Sequence, residues 1–239
     1  MYQSFIKPLL ADTKKLFLET LFPITCFSCN KEGMFLCAAC QPKLKSTHQV
    51  CIACKKPSLA GLTHPKCLSP LMADQFISFF DYRDNLVSKL IIRGKYYFIP
   101  DIFKLFAEML APRLQTEFPL MLNKDTALVP IPLHKWRQRW RGFNQAQILC
   151  QSLEGKLGTC TENLLERRKF TKTQKDLKKE ERQKNTANAF QLLPGATIKA
   201  RHIILVDDVA TTGATLLEAA KVLKRNGAEK VTCLTIARD

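Results

Sequence analysis

Between Ile203 and Thr215 the chain reads IILVDDVATTGAT, and few folds accommodate residues in that order. Four consecutive apolar residues, Ile203 to Val206, read as a strand buried on both faces. The strand runs into two carboxylates, Asp207 and Asp208, and then into small residues from Val209 to Thr215. The spacing predicts a helix starting near Leu216. Open α/β sheets place ligands at the carboxyl ends of their strands. Backbone N–H groups of a tight turn at a helix N-terminus point at a phosphate, and the helix dipole adds to the attraction. Thr211, Thr212 and Thr215 would add hydroxyl donors, Gly213 and Ala214 would allow close approach, and Val209 and Ala210 would complete the turn. Asp207 and Asp208 cannot neutralise a phosphate. They suit the hydroxyls of a ribose, bonded directly or through a cation. A Walker loop is excluded, because no Gly-Lys-Ser or Gly-Lys-Thr stands at this turn.

The neighbouring sequence supplies strands and helices in alternation. FISFFDY (76–82) and TALVPIP (126–132) read as buried strands, and KVTCLTIAR as a last one. NLVSKLIIRGK, IPDIFKLFAEMLAPRLQ and TLLEAAKVLKRNG have helical periodicity, the last with Gly227 at its stop. A further helix runs to Leu157, with Asn144 as its N-cap and Gly158 past its end. Such alternation calls for a parallel sheet with helices on both faces. Residues 73–239 are therefore expected to form one α/β domain.

Residues 26–72 have a different texture. They lack the long apolar runs needed for a core of their own. Seven of the ten cysteines fall there, in the pairs Cys26/Cys29, Cys37/Cys40 and Cys51/Cys54, with Cys67 following His64 at the same spacing. Each pair can form a knuckle that presents two ligands to one metal, and zinc takes four such ligands tetrahedrally. Consecutive pairing predicts one Zn2+ on Cys26, Cys29, Cys37 and Cys40, and a second on Cys51, Cys54, His64 and Cys67. Interleaved pairing is an alternative, as is His48 in place of His64. The closed four-ligand sites would be structural. Cys150, Cys160 and Cys233 read as buried small hydrophobes.

The first residues lack a basic region followed by a continuous apolar core and a cleavage site. Over 1–25 the apolar residues fall at helical spacing, broken near Pro8, so an amphipathic helix packing on the protein body is expected. Lying on a membrane interface is the other reading. No run of about 18 apolar residues predicts a spanning helix. Clustered cysteines without an export signal place the protein in the cytoplasm. With 37 Lys+Arg against 21 Asp+Glu, the net charge of +16 favours polyanionic partners. Residues 133–185 carry 14 Lys/Arg and 6 Asp/Glu, half of that excess. Trp136 and Trp140 stand four apart among arginines. They could stack on bases while Arg137, Arg139 and Arg141 hold phosphates, or they could be packing aromatics.

The strand, Asp pair and Thr/Gly turn closely resemble the motif that binds phosphoribosyl pyrophosphate (PRPP) in type I phosphoribosyltransferases. Val129-Pro-Ile-Pro-Leu133 and Arg141-Gly-Phe-Asn-Gln145, with the Thr171, Gln174, Leu177, Arg182 and Asn185 series, resemble blocks of the ComF-type competence proteins. The resemblance covers nearly the whole chain beyond residue 25. It implies a type I phosphoribosyltransferase fold with a small N-terminal double zinc ribbon. It also implies PRPP with Mg2+ as ligands, Asp207 and Asp208 as the catalytic carboxylates, and Val209 to Thr215 as the phosphate anchor. Pro130 and Ile131 would belong to the pyrophosphate loop, and 167–185 to a mobile hood whose cations include Arg168 and Lys172. His64 departs from the family pattern, where a cysteine is commoner, and so does Lys178, where a small polar residue is usual. The biological role implied is import of single-stranded DNA during natural transformation. Implied partners are that DNA, a competence helicase or other uptake proteins, and the inner face of the membrane. An active transferase of nucleotide or cofactor metabolism is the alternative, although no residue outside the PRPP site reads a particular acceptor.

Overall fold

The computed structural model describes residues 23–168, 188–200 and 202–239. The expected N-terminal helix, Lys172 and the hood beyond Arg168 lie outside the described residues. Two compact units form, Met1–Leu44 and Lys45–Asp239. The second cysteine group thus belongs to the larger unit, whereas composition placed a boundary near residue 72.

The larger unit contains, in chain order, β1 (Gln75–Asp81), α1 (Asn85–Tyr96), α2 (Asp101–Glu117), β2 (Thr126–Pro130), α3 (Lys135–Arg141) and α4 (Gln145–Leu157). There follow β3 (Cys160–Thr161), β4 (Leu165–Arg167), β5 (Phe190–Leu192), β6 (His202–Ala210), α5 (Ala214–Arg225) and β7 (Lys230–Arg238). Five strands make one sheet in the order β1-β7-β6-β2-β3, with every neighbouring pair parallel. β4 and β5 form a separate antiparallel pair. This is the α/β architecture the alternation calls for.

Strand β6 is central because its apolar run tolerates neighbours and cover on every side. Ile203 to Val206 are fully buried. Helix α1 starts where the Asp84 carboxylate accepts the N–H groups of Leu86 and Val87 at 3.0 and 2.9 Å. It buries Val87, Leu90, Ile91 and Gly94, a stripe at helical spacing. Helix α2 buries seven residues, from Ile102 to Leu114. Each large side chain sunk in this way contributes about 1.5–3 kcal/mol.

Several expected boundaries move. TALVPIP is a strand only as far as Pro130. β6 continues through Ala210, so Val209 and Ala210 are strand residues and only Thr211 to Gly213 turn. Helix α5 begins at Ala214, two residues before the expected start. Cys150 and Cys233 are buried as expected, but Cys160 is exposed. It sits on β3, a two-residue edge strand, with its thiol 3.7 Å from a Glu162 carboxylate oxygen. Among the described residues no helix is long and apolar enough to cross a membrane.

His202 opens β6 and is buried, with Nε2 2.9 Å from the Thr232 hydroxyl. Burial, helped by the charge of Lys230, lowers its pKa from 6.5 to about 4. The folded protein therefore keeps the ring neutral where the unfolded chain protonates it. The stability this carries is complete above about pH 6.5 and falls as pH drops towards 4, by at most about 3 kcal/mol. His202→Gln should flatten the pH dependence of urea unfolding across that window; an unchanged slope would clear the ring of responsibility.

Candidate functional site

At its carboxyl end β6 alternates partly exposed and buried residues: Asp207 and Val209 are partly exposed, Asp208 and Ala210 buried. Neighbouring residues of a strand point to opposite faces. The two carboxylates therefore point to opposite faces of the strand. Asp207, with the residues from Val209 to Leu216, lines a small pocket over the turn. The buried Asp208 forms an ion pair with the Lys95 ammonium from the last turn of α1. Burial opposes the charge on Lys95, but the Asp208 carboxylate outweighs it and raises the pKa. Asp207 is pushed up, first by burial and then by the negative charge of Asp208.

The turn is built for close approach. Gly213 has φ 77°, the left-handed region where only glycine is unstrained. A Cβ there would stand 3.0 Å from Lys55 Nζ and 3.3 Å from Ile52 Cγ1, both carried by the Cys51/Cys54 knuckle. The Thr212 hydroxyl accepts the Ala214 N–H at 3.3 Å and so tightens the start of α5. Thr211, Thr212, Gly213, Ala214 and Thr215 all border the pocket.

Pro130 and Ile131 lie alongside, because β2 pairs with β6 and the Ile131 N–H donates to Val206 O at 2.8 Å. The Ile131 side chain is part of the core. Asn144 holds this loop. Its Nδ2 donates to Ile131 O at 3.0 Å, while its Oδ1 accepts the Ala146 N–H at 3.1 Å as the cap of α4. Arg141 is buried, with Nη1 bonded to Gln145 Oε1 at 2.6 Å. It is therefore not a surface phosphate ligand. Arg168 pairs with Glu166 at 3.8 Å, on the β4–β5 pair. Its neighbour Arg167, half-buried, senses the charges of Arg137 and Asp207, and Arg141 senses those of Asp208 and Asp207.

Both cysteine groups assemble in consecutive pairing. The ligand atoms of Cys26, Cys29, Cys37 and Cys40 lie within 4.8 Å of one another, as do those of Cys51, Cys54, His64 and Cys67. Cys29 and Cys37 sulfurs are 3.6 Å apart. That exceeds a disulfide bond, about 2.05 Å, and matches the roughly 3.8 Å edge of a tetrahedron with metal–sulfur bonds near 2.3 Å. In the second group Cys54 Sγ lies 3.3 Å from His64 Nδ1. His64 Nε2 meets Pro57 O at 3.2 Å, which leaves Nδ1 for a metal. His48 is engaged elsewhere, its Nε2 3.4 Å from an Arg238 guanidinium nitrogen. Both groups thus fit zinc.

A parallel five-stranded sheet, with a Thr/Gly turn closing the carboxyl end of its central strand, is the type I phosphoribosyltransferase arrangement. Residues 141–239 match the family model described as the phosphoribosyl transferase domain. The chain belongs to the ComF-type competence protein family. It is similar to the DNA utilization protein YhgH of Salmonella typhi, 34% identical over 216 residues, which covers 85% of this chain and 90% of that protein. Competence protein F of Haemophilus influenzae is 40% identical over 119 residues, 49% of this chain and 52% of that one. Competence protein ComFC of Bacillus subtilis is 29% identical over 212 residues, 85% of this chain and 84% of that one.

Sequence reasoning missed Lys95, whose only signal is a cation at the end of a helix that otherwise buries one face. It is the partner of the buried Asp208. Removing one member of a largely buried ion pair leaves the other uncompensated, at a cost of about 3–5 kcal/mol. Lys95→Ala should lose stability on that scale in urea unfolding, and Asp208→Asn in the same chain should restore much of it. Additive losses in the double variant would deny the coupling.

Proposed function

We propose that this chain binds PRPP at the β6–α5 turn, holds two structural zinc ions, and handles single-stranded DNA in natural transformation. The observation that carries PRPP binding is the geometry of β6: one carboxylate faces the pocket, and a left-handed glycine opens the helix that closes it. The N–H groups of Thr211 to Thr215 would take the 5-phosphate, and Asp207 would accept from the ribose hydroxyls. The loop that begins at Pro130 and Ile131, steadied by Asn144, would lie beside the pyrophosphate. Mg2+ would accompany PRPP as the cation that offsets its charge. Zinc would cross-link the knuckles of two short segments that bury little apolar surface. Relatives named for competence and DNA utilization support the DNA role, as does the net charge of +16. Reduced clustered cysteines favour the cytoplasm, with the cationic surface suited to the inner face of the membrane.

Calorimetry should show PRPP binding with Mg2+ in the wild-type protein. Gly213→Val should weaken it at least tenfold, since the left-handed φ and the contacts with Lys55 and Ile52 leave no room for a branched side chain. Binding of equal strength in that variant would move PRPP off the turn. Metal analysis should count about two zinc ions per chain, and a Cys29→Ser, Cys37→Ser variant about one. An unchanged count would reject the first site.

An active transferase is the second reading, favoured by the cation Arg167, which senses the charge of Asp207 where a departing pyrophosphate would need it. Release of pyrophosphate from PRPP with a base or amine acceptor would establish it.

A further inference from the structure

Among the described residues the exposed large aromatic side chains are five: Tyr96, Tyr97, Phe98, Trp136 and Trp140. They come from two segments distant in sequence, and three of them, Tyr96, Phe98 and Trp140, meet in one place. The Trp140 ring lies 5.4 Å from that of Phe98 and 6.2 Å from that of Tyr96, tilted in both cases. Arg93 lays its guanidinium over Tyr97 at 3.9 Å, and Arg141 lies 5.6 Å from the Tyr96 ring. Trp136 and Trp140 are one turn apart on α3, hence on one side of it. They are 58% and 49% exposed, so neither serves mainly as packing. Phe98 adopts φ 58°, a left-handed backbone that is costly for a bulky residue. Burial does not explain that strain, because its ring also stands half exposed.

The two segments that carry these rings hold charges of one sign. Residues 85–100 and 133–153 together hold Lys89, Arg93, Lys95, Lys135, Arg137, Arg139 and Arg141, and no aspartate or glutamate. Lys95 answers Asp208 and Arg141 is buried with Gln145. Lys135 and Arg139 are exposed on α3 and Arg93 lies over Tyr97, which makes the patch complementary to a polyanion.

We infer that Tyr96, Phe98 and Trp140, with Tyr97 and Trp136 beside them and Arg93, Arg137 and Arg139 around them, form a stacking platform for single-stranded DNA. This rests on the DNA-handling reading above and gives it a surface. Tilted, exposed rings offer faces to unpaired bases, while the arginines meet the backbone phosphates. A duplex keeps its base faces stacked on one another and would meet only the cations. Lys95 joins the two sites: the residue before Tyr96 is the one that neutralises Asp208, so the platform begins one residue from the ion pair behind the PRPP pocket.

Trp136 and Trp140 are the chain's only tryptophans, so their emission reports on this surface alone. The full-length protein is titrated with oligothymidylate, with an abasic strand of equal length, with duplex DNA and with free nucleosides. Oligothymidylate should quench the emission and bind with a steep salt dependence. The abasic strand should bind more weakly and leave the emission unchanged. Trp140→Ala and Phe98→Ala should each weaken oligothymidylate about tenfold or more while PRPP affinity stays at the wild-type value, which also shows the variants are folded. Strand binding without quenching, or equally tight in both variants, would overturn the platform while leaving the DNA role standing. Quenching by free nucleosides as strong as by the strand would make it an acceptor-base pocket and overturn it too. A wild-type protein that binds PRPP but no single strand would remove the DNA reading itself.

Discussion

The ion pair between Lys95 and Asp208 ties the last turn of α1 to the carboxyl end of β6, and much of the site follows from it. A strand alternates its side chains, so two consecutive aspartates must face opposite ways. One of them is then buried, and an isolated buried carboxylate is costly unless paired. Lys95 supplies the pairing. Its attraction to Asp208 overcomes its own burial and keeps the ammonium charged. Asp207 is left facing the pocket, its acidity weakened by burial and by the neighbouring negative charge. One pair thus separates a buried, ion-paired aspartate from one that lines the pocket.

The stretch from Arg141 to Gln145 works in a similar way. Its five residues look like a binding motif, yet most of them build the scaffold. Arg141 and Gln145 bond to each other, and Gly142 ends α3 in the left-handed conformation at φ 77°. Phe143 packs near Phe103, with ring centroids 6.2 Å apart. Asn144 caps α4 and clamps Ile131 O. The effect is to reverse the chain between two helices and to hold the β2 loop beside β6. The second cysteine group has a comparable part, because its knuckle carries Ile52 and Lys55 against Gly213. A structural metal there would brace the phosphate turn from behind, with the glycine leaving no space between them.

The α/β class, the helices and most strands were legible in sequence because burial on both faces produces uninterrupted apolar runs and helices repeat every three to four residues. Consecutive pairing of the cysteine knuckles was legible for a similar local reason, since each knuckle spans four residues. What escaped were properties that depend on partners far along the chain. Lys95, the partner of Asp208, gave no sign of that role, because the two stand 113 positions apart. Arg141 looked like a surface cation and is buried, because its partner Gln145 is satisfied only inside. Cys160 looked like core and is exposed, because its strand lies at the edge of the sheet.

The run from Ile203 to Thr215, by itself, determined a buried strand, a polar exit and a helix-opening turn, since local sterics and the hydrophobic pattern suffice for those. Sequence likewise determined the family to which the chain belongs. Only the tertiary structure decided that Asp208 pairs with Lys95 while Asp207 lines the pocket. It also brought Tyr96 and Phe98 to Trp140, residues some forty positions apart whose meeting depends on how α1 and α3 come together. Patterns of three or four residues encode which face of an element is apolar, but they carry no record of what stands opposite that face.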